Sequence, residues 1–182
     1  HRKKIEYVWL DGSDYLGIPH LRSKTRFVDT KELDHPSIHG WYGIPDWNFD
    51  GGSTGQGGLK DSDRKLKCVR TYTDPFSEDG LLALCEVSYH TGAPHESNMR
   101  THLEALSQNT HEVADILVGF EQEFTFINPA DYKPLGFMLS PSIQGQYYCG
   151  VGAMNVIGRF IMDEFEANCR KAGIDLDGIN AE

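Results

Sequence analysis

The sequence predicts an α+β protein whose first half is built from strands and turns and whose second half is an α/β unit. Short apolar or alternating segments separated by Gly- and Pro-rich turns dominate the first half, which is typical of strands. The clearest helical spacing lies near the C-terminal end, between two further strand-like segments. The chain of 182 residues is long enough for one ordinary domain, or for a small domain and part of a larger one.

Two segments of the first half are expected to form strands with an apolar face. In residues 5 to 10, Ile5, Tyr7 and Trp9 occupy alternate positions, so their side chains share one face of a strand. Residues 81 to 89 are the most apolar segment of this half and predict another strand.

A basic strand and a long loop complete the first half. Residues 21 to 28 place Arg22, Lys24 and Arg26 on one face, which we expect to lie in solvent. Residues 29 to 65 are rich in Gly, Pro and Asp and show no sustained period. A loop of this length in a compact domain is usually disordered or functional, and its aromatic content argues against simple disorder.

The second half contains three helical segments. Ser97 is suited to cap the first helix, which carries Met99, Leu103 and Leu106 at helical spacing. A second helical piece is expected over residues 111 to 117.

The third helix is the most regular. Apolar residues recur every four positions along it, at Ile157, Ile161, Phe165 and Cys169. Gly173 stands where a C-terminal cap is expected. Residues 174 to 179 then predict a short strand, which would make this region an α/β unit.

Two carboxylates lie two positions apart in the segment Gly-Phe-Glu-Gln-Glu-Phe, residues 119 to 124. In a strand, Glu121 and Glu123 project from the same face, and their repulsion calls for a cation, a basic partner or a proton. Magnesium or manganese, which prefer oxygen ligands, would convert the repulsion into binding, and Glu182 could add a third carboxylate. The alternatives are general acid–base chemistry and a solvated polar face, and on this motif alone the solvated face is favoured.

A Gly-rich stretch, residues 47 to 58, is the second candidate site. Its backbone N–H groups, together with Ser53 and Thr54, could wrap an anion. The stretch lacks the Gly-Lys-Ser/Thr ending of a Walker A loop and opens no helix with G-x-G-x-x-G. A structural turn capped by Asp50 is therefore the simpler interpretation.

Charge and cysteine content exclude several partners and indicate a location. A net charge of −10 argues against nucleic acid or an anionic membrane as the main partner. No apolar run approaches the ~20 residues that a spanning helix needs. The cysteines, Cys68, Cys85, Cys149 and Cys169, have no C-x-x-C spacing and indicate free thiols in a reducing cytoplasm, although two disulfides are compatible with the sequence.

Eight segments, in the same order, resemble the type II glutamine synthetase family. They are EYVWLDG at 6 to 12, LRSKTR at 21 to 26, PDWNFDGGSTGQ at 45 to 56, DPF at 74 to 76, LCEV at 84 to 87, GFEQEF at 119 to 124, QGQYYCGVG at 144 to 152 and GINAE at 178 to 182. Together they extend over almost the whole chain, which makes the resemblance far more specific than any single motif.

The resemblance implies a fold and an activity. Residues 1 to 93 would form a β-grasp domain, and residues 94 to 182 would form the first part of a glutamine-synthetase-type α/β catalytic domain. The implied reaction is the ATP-dependent ligation of ammonia to L-glutamate through γ-glutamyl phosphate, with Mg²⁺ or Mn²⁺ at the centre. The subunits would assemble into stacked rings, as a decamer if they follow the family.

The resemblance also implies site residues. Glu121 and Glu123 match the metal-binding Glu-x-Glu strand, Glu182 matches the metal-binding glutamate of Asn-Ala-Glu, and Glu121 would also contact the nucleotide. Asp50 matches the catalytic aspartate of the Asn-Phe-Asp-Gly loop, which in the family enters the neighbouring subunit's active site and helps to bind and deprotonate ammonium. Three positions depart from the pattern: Leu117 and Val118 replace a common Trp-Phe pair, and Gln146 replaces a proline.

Family members continue beyond Asn-Ala-Glu to further metal ligands and phosphate-binding arginines, so we expect this chain alone to be inactive. Two other interpretations stay open at this point. One is a catalytically silent regulatory or scaffold subunit with the same fold. The other is a ligase that joins glutamate to a different amine.

Overall fold

The computed structural model describes residues 1–12, 16–33, 36–37, 40–41, 43–109, 116–137 and 146–181. It divides into two compact units, His1–Ile116 and Leu117–Glu182. The elements are strands β1 (Arg2–Leu10), β2 (Leu21–Asp29), β3 (Pro36–Ser37), β4 (Gly40–Trp41), β5 (Trp47–Asp50), β6 (Asp63–Thr73) and β7 (Gly80–Tyr89), and helices α1 (Met99–Asn109) and α2 (Arg159–Ala172). The domain boundary implied near residue 93 stays a prediction.

The first unit is built on a mixed sheet of five strands in the order β2-β1-β7-β6-β5. β1 is antiparallel to β2 and parallel to β7, whereas β6 is antiparallel to both β7 and β5. A separate short pairing joins β3 to β4. With the two helices, this arrangement confirms the predicted α+β class and is consistent with a β-grasp-like domain.

One face of the sheet forms the hydrophobic core, as the alternation predicted. Ile5, Tyr7 and Trp9 of β1 are 0%, 0% and 4% exposed. Alternate residues of β6 and β7 join them, at Leu66, Leu81, Ala83, Cys85 and Val87. Leu33 and Ile44, from the segment between β2 and β5, are buried in the same cluster. The strands predicted at 5 to 10 and 81 to 89 are therefore confirmed.

The basic residues of β2 lie on the core face of the sheet, which corrects the expectation of a purely solvent-facing row. The register pairs them with the buried residues of β1: Arg26 with Ile5, Lys24 with Tyr7 and Arg22 with Trp9. The Lys24 ammonium lies 3.6 Å from the centroid of the Trp47 ring and donates to the Asn48 carbonyl at 3.0 Å. The aliphatic stem of such a side chain can cover apolar surface while its charge keeps polar partners.

The two described helices lie where the apolar spacing predicted them. α2 ends at Ala172 and is capped by Gly173, whose φ of 80° is left-handed and whose N–H donates to the carbonyls of Arg170 and Cys169. This is the C-terminal cap expected of a glycine. Neither helix, with 11 and 14 residues, is long and apolar enough to cross a membrane. The helical piece predicted at 111 to 117 lies outside the described residues, apart from its last two positions, which are not helical.

Two predicted strands of the second unit are wrong. Residues 119–124 and 174–179 both lack regular secondary structure. A strand needs a neighbour for its backbone N–H and C=O groups. In the described part of this unit, the only strand-type pairing is an isolated bridge between Ile127 and Pro134. Without a partner, the segment leaves Phe120 and Phe124 93% and 55% exposed.

The buried Tyr7 generates a prediction about alkaline stability. Its hydroxyl donates to the Pro45 carbonyl at 2.7 Å, and burial raises the pKa of Tyr7 from 10.0 to about 12. Because the folded pKa is the higher one, this contribution to stability is complete below pH 10 and is lost as the pH rises towards 12. Tyr7→Phe should abolish that part of the alkaline loss and cost about 1 kcal/mol near neutral pH.

The measurement is urea unfolding followed by tryptophan fluorescence between neutral and alkaline pH. All tryptophans of the chain lie in the first unit, so the signal reports on that unit. Tyr72→Phe, at a half-buried tyrosine of β6, is the matched control and should keep the wild-type alkaline profile. An unchanged profile in Tyr7→Phe would contradict the prediction.

Candidate functional site

Asp50 ends β5 and caps a short 3-10 helix, Gly51–Thr54. Its Oδ1 accepts a hydrogen bond from the Gly52 N–H at 2.9 Å, so one carboxylate oxygen fixes the turn, as the cap interpretation predicted. The side chain is exposed, and no hydrogen bond from a described residue reaches Oδ2. The second oxygen is therefore available to a ligand while the first holds its position.

Asp63 is a second carboxylate next to the loop of Asp50. The sequence analysis did not identify it. It lies directly opposite Asp50 in the antiparallel pairing of β5 with β6, and both residues are exposed. The Asn48 amide donates to Asp63 Oδ1 at 3.3 Å. Two facing carboxylates repel each other and create a negative potential that attracts a cation. Only the strand register reveals the pair, because thirteen positions separate the two residues in the sequence.

A buried arginine holds the loop that carries Asp50. Arg64 is 4% exposed. Its guanidinium donates to the carbonyls of Gln56, Asp61 and Asp63 and to the Asp61 carboxylate. It also lies 4.7 Å from the centroid of the Tyr89 ring. A buried guanidinium needs several acceptors to offset its loss of hydration, and the loop and the following turn supply them.

Gln56 connects the loop to two other parts of the first unit. Its side chain is 1% exposed. Its Nε2 donates to the Leu10 carbonyl at 3.0 Å and to Ser97 Oγ at 2.9 Å, and its Oε1 accepts from the Thr54 hydroxyl at 2.9 Å. Ser97 is itself hydrogen-bonded to Nδ1 of the buried His95 at 2.9 Å. The loop is thus tied to the end of β1 and to the segment before α1.

Two glycines permit the close approach of the loop to β1. The Gly12 N–H donates to the Thr54 carbonyl at 2.8 Å, and a Cβ on Gly12 would lie 2.3 Å from the Gly55 carbonyl oxygen. Gly55 ends the 3-10 helix with a left-handed φ of 69°. Gly12 is needed because a side chain there would collide with the loop, and Gly55 is needed because of its left-handed backbone.

The structure describes two of the three predicted metal ligands. Glu121 and Glu123 are exposed on the irregular segment 119–124, and Glu182 lies outside the described residues. Among the residues that the structure describes, no group of three or more His, Cys, Asp or Glu side chains could hold a metal ion. Carboxylate oxygens do fit magnesium or manganese chemically. The metal assignment therefore stays a prediction.

The buried Arg64 generates a prediction about the loop. Arg64→Met keeps the aliphatic volume but leaves three carbonyls without their donor, so it should lower the free energy of unfolding by about 2 kcal/mol or more. The amides of Gly51 and Gln56, which bond to the Ser62 and Gly51 carbonyls, should exchange hydrogen faster than in the wild type. Urea unfolding and hydrogen exchange of this loop measure the two effects.

The matched control is Lys65→Met, which removes the neighbouring cation of the same strand. Alternate side chains of a strand face opposite sides, so Lys65 points away from the loop that Arg64 holds. Lys65→Met should change the unfolding free energy by less than about 0.5 kcal/mol and leave the loop amides protected. Equal effects of the two substitutions would show that Arg64 has no special part in holding the loop.

Comparison with known proteins relates the whole chain to one class of enzyme, although no family model matches it. It is 40% identical to glutamine synthetase of Streptomyces viridochromogenes over 182 residues, which is 98% of this chain and 50% of that protein. It is 37% identical to the chloroplastic glutamine synthetase of Chlamydomonas reinhardtii, over 97% of this chain and 47% of that protein. A probable glutamine synthetase of Caenorhabditis elegans is 37% identical, over 100% of this chain and 48% of that protein.

These relatives come from a bacterium, a green alga and an animal, yet the identity and the share of this chain that is aligned differ little among them. The chain spans about half the length of the curated relatives it matches. The similarity extends through both units of the structure, from the strands of the sheet to the segment that follows α2. The chain belongs to the glutamine synthetase family.

Proposed function

We propose that this chain forms part of a glutamate–ammonia ligase that makes glutamine from glutamate, ammonium and ATP. The observation that carries the proposal is the similarity to glutamine synthetases over essentially the whole chain. The loop that presents Asp50 supports it, because this loop is held in place by buried side chains while its carboxylate is exposed.

In this proposal, Asp50 binds ammonium and removes its proton. The facing carboxylates of Asp50 and Asp63 favour a cation over neutral ammonia at the loop. Transfer of a proton from ammonium to Asp50 leaves a nitrogen lone pair, which attacks the acyl carbon of γ-glutamyl phosphate as phosphate departs. The Gly52 N–H holds one oxygen of Asp50, so the other can face the reacting nitrogen without a change of the turn.

Glu121, Glu123 and Glu182 are proposed to hold Mg²⁺ or Mn²⁺, and Glu121 to contact the nucleotide as well. When bound, such a cation supplies charge neutralisation for the phosphate groups. The carboxylates of this chain contribute hard, anionic oxygen ligands, and the two glutamates separated by one residue can share a cation only if an added strand partner or the cation orders their segment.

The proposal extends to assembly and location. An exposed Asp50 is suited to a site completed by a neighbouring subunit, as in stacked rings. We propose such rings, of decameric size if the family pattern holds, and a cytoplasmic location.

A hybrid enzyme tests the proposed role of Asp50. In the hybrid, residues 1–182 of this chain replace the aligned part of the Streptomyces viridochromogenes enzyme, and the rest of that enzyme follows. The hybrid should form glutamine from glutamate and ammonium in an ATP-dependent reaction. Asp50→Asn should lower kcat by about 10²- to 10⁴-fold, the range typical of a lost general base.

Glu78→Gln is the matched control, because Glu78 is an exposed carboxylate on the turn between β6 and β7. It should leave kcat within about twofold of the unmodified hybrid. A hybrid that assembles and binds ATP but makes no glutamine would contradict the proposed function. Equal activity of Asp50→Asn and Glu78→Gln would contradict only the role of Asp50.

The same hybrid tests the metal ligands. Glu121→Gln and Glu123→Gln each remove one anionic oxygen ligand and should weaken Mn²⁺ binding by about tenfold or more, measured by electron paramagnetic resonance of free Mn²⁺. Asp131→Asn, at an exposed carboxylate of the same unit, is the control and should bind Mn²⁺ as the unmodified hybrid does. Normal Mn²⁺ affinity in both glutamate variants would remove them from the metal site.

A further inference from the structure

Cys68 and Cys85 lie directly opposite each other in the antiparallel pairing of β6 with β7. All four cysteines of the chain are free thiols. Residues that oppose each other in an antiparallel pair project from the same face, and here that face is the core face, where Cys85 is 7% exposed and Cys68 is half-buried. The two thiols therefore meet at the edge of the core, with Cys68 the more accessible.

The register brings the two positions close to the geometry of a disulfide. Directly opposed residues have Cβ atoms about 4.5–5.5 Å apart, and a disulfide needs a Cβ separation of about 3.5–4.5 Å. The remaining difference is small, and the ladder is irregular at this point, because the register shifts between Cys68 and Arg70. Such a bulge leaves Val69 unpaired and lets the strand bend locally. The Cys68 thiol donates to the Arg70 carbonyl at 3.4 Å, and the Cys85 thiol donates to the Ala83 carbonyl at 3.2 Å.

The environment makes the two thiols chemically different. The neighbouring Cys85 and a backbone hydrogen bond with Arg70 lower the pKa of Cys68, whereas the neighbouring Cys68 and burial raise the pKa of Cys85. The thiolate is the nucleophile in thiol–disulfide exchange. Cys68 is thus both the more exposed and the more readily ionised member of the pair, whereas Cys85 is its protonated neighbour.

We propose that Cys68 and Cys85 form an oxidisable dithiol site that reacts with small disulfides and closes into a cross-strand disulfide. The Cys68 thiolate attacks one sulfur of the small disulfide, which breaks its S–S bond, forms a mixed disulfide and releases one small thiolate. Cys85 then gives its proton to that thiolate and attacks the Cys68 sulfur, which releases the second small thiolate. Overall, two protein thiols lose two electrons and two protons, and one small disulfide becomes two thiols.

The site would connect β6 to β7 covalently near the middle of both strands. β6 also carries Asp63 and Arg64, which contact the loop of Asp50, so the disulfide would join the strand that supports this loop to the centre of the sheet. The proposal does not depend on the ligase activity, because it concerns thiols outside the site described above.

The test uses this chain with Cys149→Ser and Cys169→Ser, which remove the two thiols of the second unit. The protein is incubated with oxidised glutathione under native conditions, quenched with acid and analysed by intact mass and by non-reducing peptide mapping. The expected product has lost two hydrogen atoms, carries no glutathione and contains a peptide cross-linked between Cys68 and Cys85. Added dithiothreitol should restore the original mass.

Two variants test whether Cys68 reacts with the small disulfide first and Cys85 reacts second. Adding Cys85→Ala should leave one glutathione bound to Cys68 as a lasting adduct, because no second thiol is present to displace it. Adding Cys68→Ala instead should leave Cys85 largely unmodified, since its thiol is still buried and burial alone raises its pKa. The native protein should cross-link much faster than the same protein in urea, where the register is lost.

Several results would overturn the proposal. A lasting glutathione adduct on Cys68 in the presence of Cys85 would show that the strands hold the thiols too far apart. Faster cross-linking in urea than in the folded state would show that the sheet prevents the bond. The absence of both adduct and cross-link under native conditions would show that neither thiol is reactive. Because the mapping is made on protein with both core cysteines intact, these outcomes do not depend on whether a core variant folds.

Discussion

The parallel pairing of β1 with β7 at the centre of the sheet is the constraint on which the first unit depends. Parallel neighbours cannot be joined by a tight hairpin. The chain between them therefore builds the rest of the sheet, with β2 on one side and β6 and β5 on the other. β2 and β5 become opposite edges, so the segment that links them has to cross the sheet. Leu33 and Ile44, which belong to this segment, are buried against the core strands.

The edge position of β5 explains why the candidate loop needs buried polar support. β5 has only four residues and lies at the edge, so few ladder hydrogen bonds hold it. The loop after it gains its order from the side chains of Arg64 and Gln56, which bond to backbone carbonyls of the loop, the following turn and β1. Their burial would be costly if these acceptors were absent. The same bonds therefore stabilise the edge of the sheet and fix the position of Asp50.

The sequence predicted the strands and helices that are recognisable from the pattern of neighbouring residues. The alternation of Ile5, Tyr7 and Trp9 identified β1 and its buried face, and Gly173 marked the end of α2. Asp50 could be selected as a candidate because its motif is recognisable. Its partners could not, since the approach of Asp63 to Asp50 and of Ser97 to Gln56 depends on strand register and on long-range packing. A one-residue change of register would move each side chain to the other face.

The predictions that were wrong also concerned features that depend on the neighbouring strands. Residues 119–124 and 174–179 have the composition of strands, but a strand exists only with a partner, and the described part of the second unit supplies none beyond a single bridge. The basic row of β2 was expected in solvent because charge alone suggests it. The sheet instead places Lys24 and Arg26 beside Trp47, where their long stems can cover the ring and still keep their charges hydrated or paired.

The two groups of candidate residues therefore differ in how their geometry is obtained. Asp50 is placed by hydrogen bonds within its own unit, and one of its oxygens is already committed to the turn. Glu121 and Glu123 are exposed on a segment that has no regular secondary structure. If both groups serve the proposed reaction, the sheet preorganises Asp50 for ammonium, whereas the segment of Glu121 and Glu123 becomes ordered for the metal only when strand partners or the cation bind to it. The conformational free energy needed to order the segment of Glu121 and Glu123 then weakens metal binding, whereas the loop of Asp50 needs no such ordering.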